Sequence, residues 1–247
     1  MSSVLAEAAA LPKTSQHPLH NVHIGQGTLI DEDVRIGTEP GRAQARPIGI
    51  GQDGRIRGGS AIDEGAHIGD RLETGRNVFI GEDTVIGEDC RVWNNTVIEG
   101  GCVLGDRVRI GANCYIAQFT TIGDDVTIAP GVCLASDPHP GSAAHACLRG
   151  PTIERGAQIG MNATVLPFIA IGERSVVEPG SVVTRGVPAE VVVGGNPAHV
   201  LKSISEIVCP LDLEEGEYLR PPKPREAQGS DGGGTEASRV NQQPVAP

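Results

Sequence analysis

His139 is the residue whose type and setting are best suited to chemistry. It lies in the segment SDPHPGSAAHACLRG (136–150), between two prolines that restrict its backbone. An imidazole has an ordinary pKa of about 6.5, so it can take up a proton near neutral pH. We predict that His139 is a general base and that Asp137 orients its ring. The alternatives are a solvent-exposed loop histidine and an aspartate that serves only in a turn.

The same region also contains residue types that bind zinc, with the spacing C-x5-H-x5-H-x-C. They are Cys133, His139, His145 and Cys147. None of the closely spaced ligand pairs typical of a structural zinc site is present. We therefore expect no metal, and structural zinc is the lesser alternative.

The element that positions this segment is a repeat with a period of six residues. Aliphatic side chains recur without interruption, and a Thr, Cys or Val stands two residues before each of them. The aliphatic positions are Ile80, Ile86, Val92, Ile98, Leu104, Ile110, Ile116, Ile122, Ile128 and Leu134. Neither an α-helix nor an ordinary strand generates this period, whereas a short strand followed by a turn does. Three such units close a triangular coil of about 18 residues, and stacked coils pair their backbones.

This pattern predicts an all-β protein, a left-handed parallel β-helix of hexapeptide repeats with one protruding loop. The loop is the non-repeat segment 136–150, and functional residues concentrate in loops on rigid scaffolds. A second interruption, at 39–47, is predicted to leave the helix at a corner. Thr74 occupies a position that the pattern reserves for an aliphatic residue, so we expect an irregular turn at 72–77.

The repeat ends at Pro188, after which we predict a strand, a turn and a short amphipathic C-terminal helix (198–208). Beyond the helix, a composition rich in Pro, Gly and polar residues indicates disorder. The predicted units are a flexible N-terminal arm (1–18), the β-helix (19–188), a C-terminal strand and helix (189–209) and a disordered tail (210–247).

Composition limits the partners. The 247 residues carry a formal net charge of −11 without a basic stripe, which argues against nucleic acid. No apolar run is long enough to span a membrane, and the N-terminus lacks the pattern of a signal peptide. The cysteines follow the repeat rather than a disulfide framework, which agrees with a reducing compartment. We expect a cytoplasmic protein with no membrane or nucleic-acid partner.

The repeat, the DPHP loop and the sequence VVTRGVP…VVVGGNPAHVLK together resemble the hexapeptide-repeat acyltransferases. The segment 121–140 is similar to the stretch that leads to the catalytic histidine of sugar and xenobiotic O-acetyltransferases. RVW (91–93) is similar to the N-acetyltransferases of nucleotide-linked amino sugars, although Asn94 and Asn95 stand where those enzymes have His and Phe. The resemblance covers roughly residues 20–205.

This resemblance implies a homotrimer that binds acetyl-CoA between adjacent subunits, and the flat sides of a prism also favour rotational association. It implies that His139 is the base and that the backbone amide of Met161 stabilises the thioester oxygen as charge develops. Arg185 is implied to meet pantetheine or phosphate groups, and Lys202 is a candidate for the 3′-phosphate; the alternative for both is a solvated surface charge. His199 stands where the family motif NPAR has arginine. The residues implied to line the cofactor are Ser181, Thr184, Arg185, His199 and Lys202.

Asn113 and Gln118, in the coils below the loop, are candidate acceptor contacts; for an asparagine the alternative is an ordinary turn residue. We predict an acetyl-CoA-dependent acetyltransferase whose acceptor is a small molecule, in the first place the amine of a nucleotide-linked amino sugar. The alternatives are an O-acetyltransferase of a sugar or antibiotic, a non-catalytic scaffold, and a γ-type carbonic anhydrase of the same fold. The last needs three histidine ligands, and no histidine lies between His67 and His139.

Overall fold

The computed structural model describes residues 21–38, 46–142 and 145–208. Within these ranges the chain forms 26 short β-strands, which are numbered here in chain order, and two 3₁₀ turns, at His145–Cys147 and Ile204–Glu206. The predicted N-terminal arm and C-terminal tail lie outside the described residues. No helix in the described ranges is long and apolar enough to cross a membrane.

The strands stack in three sheets, which form the sides of a triangular prism. Sheet 1 contains β1 (Val22–Ile24), β4 (Ile48–Ile50), β7 (His67–Ile68), β10 (Val85–Ile86), β13 (Val103–Leu104), β16 (Thr121–Ile122), β19 (Thr152–Ile153) and β22 (Ala170–Ile171). Sheet 2 contains β2 (Leu29–Ile30), β5 (Arg55–Ile56), β8 (Glu73–Thr74), β11 (Arg91–Val92), β14 (Arg109–Ile110), β17 (Thr127–Ile128), β20 (Gln158–Ile159), β23 (Val176–Val177), β25 (Val191–Gly195) and β26 (Ala198–Ser203). Sheet 3 contains β3 (Arg35–Thr38), β6 (Ala61–Asp63), β9 (Phe79–Ile80), β12 (Val97–Ile98), β15 (Tyr115–Ile116), β18 (Cys133–Leu134), β21 (Thr164–Val165) and β24 (Val182–Val183).

From β1 to β24 consecutive strands belong to successive sheets, and each strand from β1 to β21 pairs in parallel with the strand three places later. Ile86, for example, lies beside Ile68 on one side and Leu104 on the other. The predicted left-handed parallel β-helix is confirmed, and so is the period that predicted it.

The aliphatic residues of the repeat form one continuous core along the axis of the prism. Ile98, Ile110 and Ile116 are fully buried. The small residues that stand two positions before the buried aliphatic residues bond to main-chain carbonyls. The Thr96 hydroxyl donates to Gly111 O at 2.7 Å, and the Cys90 thiol donates to Gly105 O at 3.2 Å. Burial raises the pKa of the Cys90 thiol to about 11, so this cysteine is a core residue without nucleophilic character.

Thr74 fits this core, and the expected irregular turn at 72–77 is wrong. Strand β8 pairs in register with β11, and Thr74 lies beside Val92. The buried Thr74 hydroxyl accepts a hydrogen bond from the Arg57 N–H at 2.9 Å. Because its one polar atom has a main-chain partner, threonine replaces an aliphatic residue here without disturbing the coil.

The three corners of the prism differ in the residues that occupy the turn position with a positive φ. At the corner between sheets 1 and 2, called the salt-bridge corner, they include Asp53, Arg71, Asp89, Arg107, Asp125 and Arg174. At the corner between sheets 2 and 3, called the asparagine corner, they include Asn77, Asn95, Asn113 and Asn162. At the corner between sheets 3 and 1, called the loop corner, they include Asp83, Phe119 and Phe168.

Both interruptions of the repeat leave the prism at the loop corner. The first lies between β3 and β4, and its described end is held by Arg46, whose N–H donates to the buried Glu64 carboxylate at 2.8 Å. The Arg46 guanidinium also donates to Glu82 at 2.7 Å and to Asp83. The second interruption, between β18 and β19, is the segment 136–150, so the predicted loop lies where the repeat pattern placed it.

The predicted C-terminal helix is wrong. Residues Ala198–Ser203 form β26, which pairs antiparallel with β25, and only Ile204–Glu206 form a 3₁₀ turn. The segment 194–197 reverses the chain, and the returning residues cover the last open edge of sheet 2. A helix would have left the N–H and C=O groups of that edge unpaired, so edge pairing overrides the amphipathic pattern.

Candidate functional site

The loop at 136–150 is tied to the prism at its base. The Arg149 N–H donates to Ser136 O at 2.9 Å, which joins the two ends of the loop. The Gly150 N–H donates to Gln118 O at 3.0 Å, which attaches the loop to the coil below. The two ends of the loop are therefore held at a defined position on a rigid scaffold, as a site residue requires.

His139 lies in this loop with its side chain 47% exposed. Asp137 Oδ1 accepts a hydrogen bond from the His139 backbone N–H at 2.9 Å and lies 3.9 Å from the imidazole Nδ1. The second distance is too long for a hydrogen bond, so the carboxylate shapes the turn and places a negative charge next to the ring. A ligand can reach the imidazole from solvent.

Met161 lies at the asparagine corner, in the turn between β20 and β21. At the equivalent turn position of another coil, the Arg76 N–H donates to the Asn94 side chain one coil further on, at 2.8 Å. The residue one coil further on from Met161 is Pro179, which has no side-chain acceptor. Within the described ranges the Met161 N–H donates no hydrogen bond, so it is available to a ligand.

A single copy of the chain does not bring His139 and Met161 together. His139 follows β18, Met161 precedes β21, and these two strands are neighbours in sheet 3. The two residues therefore lie at opposite edges of one side of the prism. A site that uses both must combine the loop corner of one copy with the asparagine corner of another.

The residues predicted to line the cofactor occupy two places. Thr184 and Arg185 follow β24 at the loop corner, above the His139 loop, and Arg185 is exposed. His199 and Lys202 are exposed on β26, opposite Gly194 and Val192. Ser181 differs from these four, because its hydroxyl is buried and donates to Glu178 O at 2.7 Å. Only the main chain of Ser181 is left for a cofactor contact.

The two predicted acceptor contacts also lie at different corners. Asn113 belongs to the asparagine corner, where its side-chain oxygen accepts from Asn95 Nδ2 at 3.2 Å. Asn113 therefore has the turn role that was given above as its alternative, and it lies at a corner away from the loop. Gln118 lies at the loop corner, and its carbonyl receives the Gly150 N–H. Of the two, only Gln118 is adjacent to the loop of its own chain.

Sequence reasoning missed Phe119 and Phe168. They stand at the loop corner, one coil below and one coil above the loop, with φ of 58° and 63°. A signal was present in the sequence, since phenylalanine occupies a turn position that holds Gly or Asp in the earlier coils of this corner. Among the described residues, no group of three His, Cys, Asp or Glu side chains is placed to hold a metal ion.

Comparison with known families identifies the repeat. The family model described as bacterial transferase hexapeptide (six repeats) matches residues 65–100, 83–118, 101–136 and 150–185. The chain therefore contains the repeat that this family model describes. The matched ranges cover the coils on both sides of the loop, which itself interrupts the match.

Part of the chain is similar to curated enzymes. Over 54 residues it is 52% identical to 2,3,4,5-tetrahydropyridine-2,6-dicarboxylate N-acetyltransferase of Clostridium perfringens (strain SM101 / Type A), covering 22% of this chain and 23% of the relative. The enzyme of the same name from Staphylococcus aureus (strain JH9) is 44% identical over 55 residues, covering 22% and 23%. The match thus spans less than a quarter of the length of these relatives.

A solved structure extends the likeness to most of the fold. The Arabidopsis UDP-N-acetylglucosamine acyltransferase superposes with a TM-score of 0.51 at 20% identity, covering 76% of this chain and 71% of that one. At this identity the likeness concerns the architecture. The two proteins share the prism of stacked coils.

Proposed function

We propose that this protein is an acetyl-CoA-dependent acetyltransferase that acts on the amine of a small-molecule acceptor. The observation that carries the proposal is the anchored loop, which presents an exposed imidazole beside Asp137 on a hexapeptide-repeat scaffold. The names of the curated relatives support acetyl transfer to nitrogen. A scaffold without activity has no need of this loop.

In the proposed reaction His139 takes a proton from the acceptor nitrogen as that nitrogen attacks the thioester carbonyl carbon. The carbonyl oxygen becomes an oxyanion, and the unpaired N–H of Met161 donates a hydrogen bond to it. The carbon–sulfur bond then breaks, and the departing thiolate takes the proton from the His139 imidazolium. The products are the acetylated amine and CoA. This reaction needs no metal, so EDTA should leave its rate unchanged.

We further propose that the protein is a homotrimer, since His139 and Met161 lie at opposite edges of one side. The sides that meet at the loop corner carry mainly uncharged outward residues, such as Val103 on sheet 1 and Tyr115 on sheet 3. Sheet 2 carries Arg91 and Glu73 instead. Rotational association through the uncharged sides buries apolar surface and lets one copy supply the Met161 amide to the His139 loop of the next.

The acetyl-CoA molecule would then lie along the upper part of the loop corner. Thr184 and Arg185 stand on this corner above His139, and the exposed Arg185 guanidinium suits a phosphate. Lys202 and His199, on β26, are near enough to the same end of the prism to meet the nucleotide portion of CoA, because β26 contacts β24. We propose a cytoplasmic location, where acetyl-CoA and amine acceptors are both available.

For the acceptor we propose the amine of a nucleotide-linked amino sugar. The second candidate is a small cyclic dicarboxylate, because the curated relatives are named for that acceptor. Both candidates are anions, and the exposed Arg149 at the end of the loop suits either. A sugar hydroxyl as acceptor would use the same residues and give an O-acetyltransferase.

The test is to incubate the purified protein with acetyl-CoA and a panel of acceptors while measuring free thiol. The panel contains nucleotide-linked amino sugars, plain amino sugars, tetrahydropyridine-2,6-dicarboxylate and neutral sugars. Release of CoA with one of the amines, and acetylated product by mass spectrometry, is the expected result. No acceptor-dependent thiol release with any member, together with no binding of acetyl-CoA, would overturn the proposed function.

A further inference from the structure

The lower end of sheet 1 carries two histidines that the proposed reaction does not use. They are His23 on β1 and His67 on β7, and both are exposed. Ile24 and Ile68, which follow them, pack in or against the core, so the imidazoles lie on the outer face of the sheet. Strand β4 separates the two strands, and its register places Gly49 beside both histidines. The two histidines therefore face the same side, one on either side of a glycine.

Gly49 leaves a gap in the outward column of sheet 1. The residues that follow one another in this column are His23, Gly49, His67, Val85, Val103, Thr121, Thr152 and Ala170. Gly49 is the only glycine among these outward positions of the described strands. A Cβ added to Gly49 would lie 3.4 Å from His67 Nδ1. The His67 ring therefore leans towards β1, over the space that a side chain at position 49 would occupy.

An open cavity of about 530 Å³ lies on this face of the sheet. Its lining includes His23, Gly49 and His67, and the other lining residues are glycines and aliphatic residues. Among the described residues that line the cavity, the two imidazoles are therefore the only polar side chains. Imidazole is a ligand of Zn²⁺, Cu²⁺ and Ni²⁺, whereas Ca²⁺ and Mg²⁺ prefer the carboxylate oxygens that this lining lacks.

The spacing of the two histidines suits one ion between them. Neighbouring strands lie about 4.8 Å apart, so the Cα atoms of His23 and His67 are separated by roughly 10 Å. Two imidazole nitrogens that share a zinc ion each lie about 2.0–2.1 Å from it. Because His67 Nδ1 already lies beside the middle strand, His23 has only to reach across a single strand spacing, which the length of its side chain allows. A side chain at position 49 would stand where the ion has to be.

The sequence adds histidines at the same end of the prism. His17 and His20 precede His23 with the spacing H-x2-H-x2-H, and both are outside the described residues. Four of the seven histidines of the chain thus belong to β1, to β7 or to the segment just before β1. Short histidine-rich tracts are typical of metal binding. Zinc usually takes four ligands, so the positions that His23 and His67 leave open can take water or imidazoles of this tract.

We propose that His23 and His67 bind a divalent transition-metal ion across Gly49. The ion ties β1, the outermost strand of sheet 1, to β7 and so stabilises the lower end of the prism. An edge strand has unpaired backbone groups along one side, and a link to the third strand of the sheet keeps it in register. The site lies four strands of sheet 1 below β19, which follows the loop, so the ion takes no part in the proposed reaction. The inference does not rest on the proposed function.

The test uses the full chain, treated with EDTA and dialysed. Binding of Zn²⁺ and of Ni²⁺ is measured by calorimetry, and Tm with and without the ion by thermal unfolding. His23→Gln and His67→Gln each remove one ligand, whereas Gly49→Val keeps both histidines and fills the space between them. Valine already occupies the same outward position at Val85, so the strand should accept it. The matched control is His199→Gln, which changes an exposed histidine on β26 at the upper end of the prism.

The expected result is that wild type and His199→Gln bind one ion per chain and that the ion raises Tm, because it binds the folded state. Loss of either imidazole, or obstruction by valine, should raise the Kd about tenfold or more, since even groups that only orient a metal ligand contribute about tenfold. Without metal, the Tm of each variant should stay near that of wild type. The inference is wrong if wild type binds neither ion, or if any of the three variants at the site keeps the wild-type Kd. In the second case the ion binds elsewhere, such as at the exposed Cys133 and Cys147.

Discussion

The salt-bridge corner and the loop corner are built from the same repeat, yet in the coils next to the loop they carry different kinds of side chain. At the salt-bridge corner the Arg107 guanidinium donates to both carboxylate oxygens of Asp125 one coil away, at 2.6 and 3.0 Å. At the loop corner the equivalent position holds Phe119, whose ring has no such partner on the next coil. Where the turn residues bond to each other from coil to coil, the corner serves the fold. Where they face solvent, the corner is free to serve a ligand.

The two corners should therefore respond differently to substitution, and His139→Ala gives the largest expected effect. The loop lies outside the repeat, so Tm and acetyl-CoA binding should stay close to wild type. The kcat should fall on the order of 10²–10⁴-fold, the usual contribution of a positioned general base. Steady-state kinetics and thermal unfolding check this. A variant that keeps more than about a tenth of the wild-type kcat would remove His139 from the role of base.

The next largest effect is expected from Met161→Pro, which deletes the proposed oxyanion donor. Proline already stands at the same turn position in neighbouring coils, as Pro130 and Pro179, so the coil should accept it. Loss of one such donor should lower kcat roughly 10²–10³-fold. The control is Ala112→Pro, at the same turn position two coils earlier, which should leave both kcat and Tm near wild type. Equal kinetic losses in the two variants would mean that the corner is distorted and that no donor was lost.

At the salt-bridge corner, Arg107→Asn should affect stability and leave catalysis intact. Asparagine suits the positive φ of this position, so the substitution removes the ion pair with Asp125, and the longer contacts with Asp106 and Asp124, without straining the turn. The pair is partly exposed, and its loss should cost up to about 1 kcal/mol, or a fall in Tm of roughly 2–4 °C. Calorimetry measures the Tm, and thiol release the kinetics. A change in kcat of more than about twofold would contradict the division between the corners.

The smallest effect concerns pH. The Arg155 guanidinium, which donates to Asp124 at 2.8 Å, lowers the pKa of this carboxyl, and the Asp106 N–H acts in the same direction. Because the folded pKa is depressed, this stabilisation is present above the unfolded pKa of about 3.9 and is lost as pH falls through the folded value. Asp124→Asn should be less stable than wild type at pH 7 by less than about 1 kcal/mol, and the difference should vanish on acidification. Urea unfolding at a series of pH values tests this. A stability difference between Asp124→Asn and wild type that is the same at every pH would mean that it comes from hydrogen-bond geometry and not from the charge of Asp124.

The sequence predicted those parts of the molecule that the core imposes. The period of six followed from Ile80 to Leu134 because each coil must bury one aliphatic side chain on each flat side. The loop at 136–150 could be predicted for the same reason, since its residues break that period. Thr74 also interrupts the aliphatic period, but its hydroxyl accepts a hydrogen bond from a main-chain N–H. A pattern of apolar residues does not reveal such a partner.

The errors lie where one part of the chain depends on another that is distant or outside the repeat. The segment Ala198–Ser203 has a pattern compatible with a helix, but it forms a strand because it pairs with the open edge of β25. Ser181 matched a cofactor-lining motif, while its place in the coil turns the hydroxyl inward. Phe119 and Phe168 could have been found by aligning the turns of the loop corner rather than the aliphatic positions, because phenylalanine departs from the Gly and Asp of the earlier coils there.

The register of 18 residues, by which Ile86 lies beside Ile68 and Leu104, makes the length of this molecule adjustable in whole steps. Removal of one complete coil below the loop, such as residues 87–104, brings together strands that belong to the same sheet and whose equivalent side chains point the same way. A deletion one residue shorter or longer reverses the facing of side chains where the coils rejoin and exposes aliphatic residues. The chain can therefore gain or lose height by duplication or loss of complete coils, while the distance from the loop to the upper end of the prism stays the same.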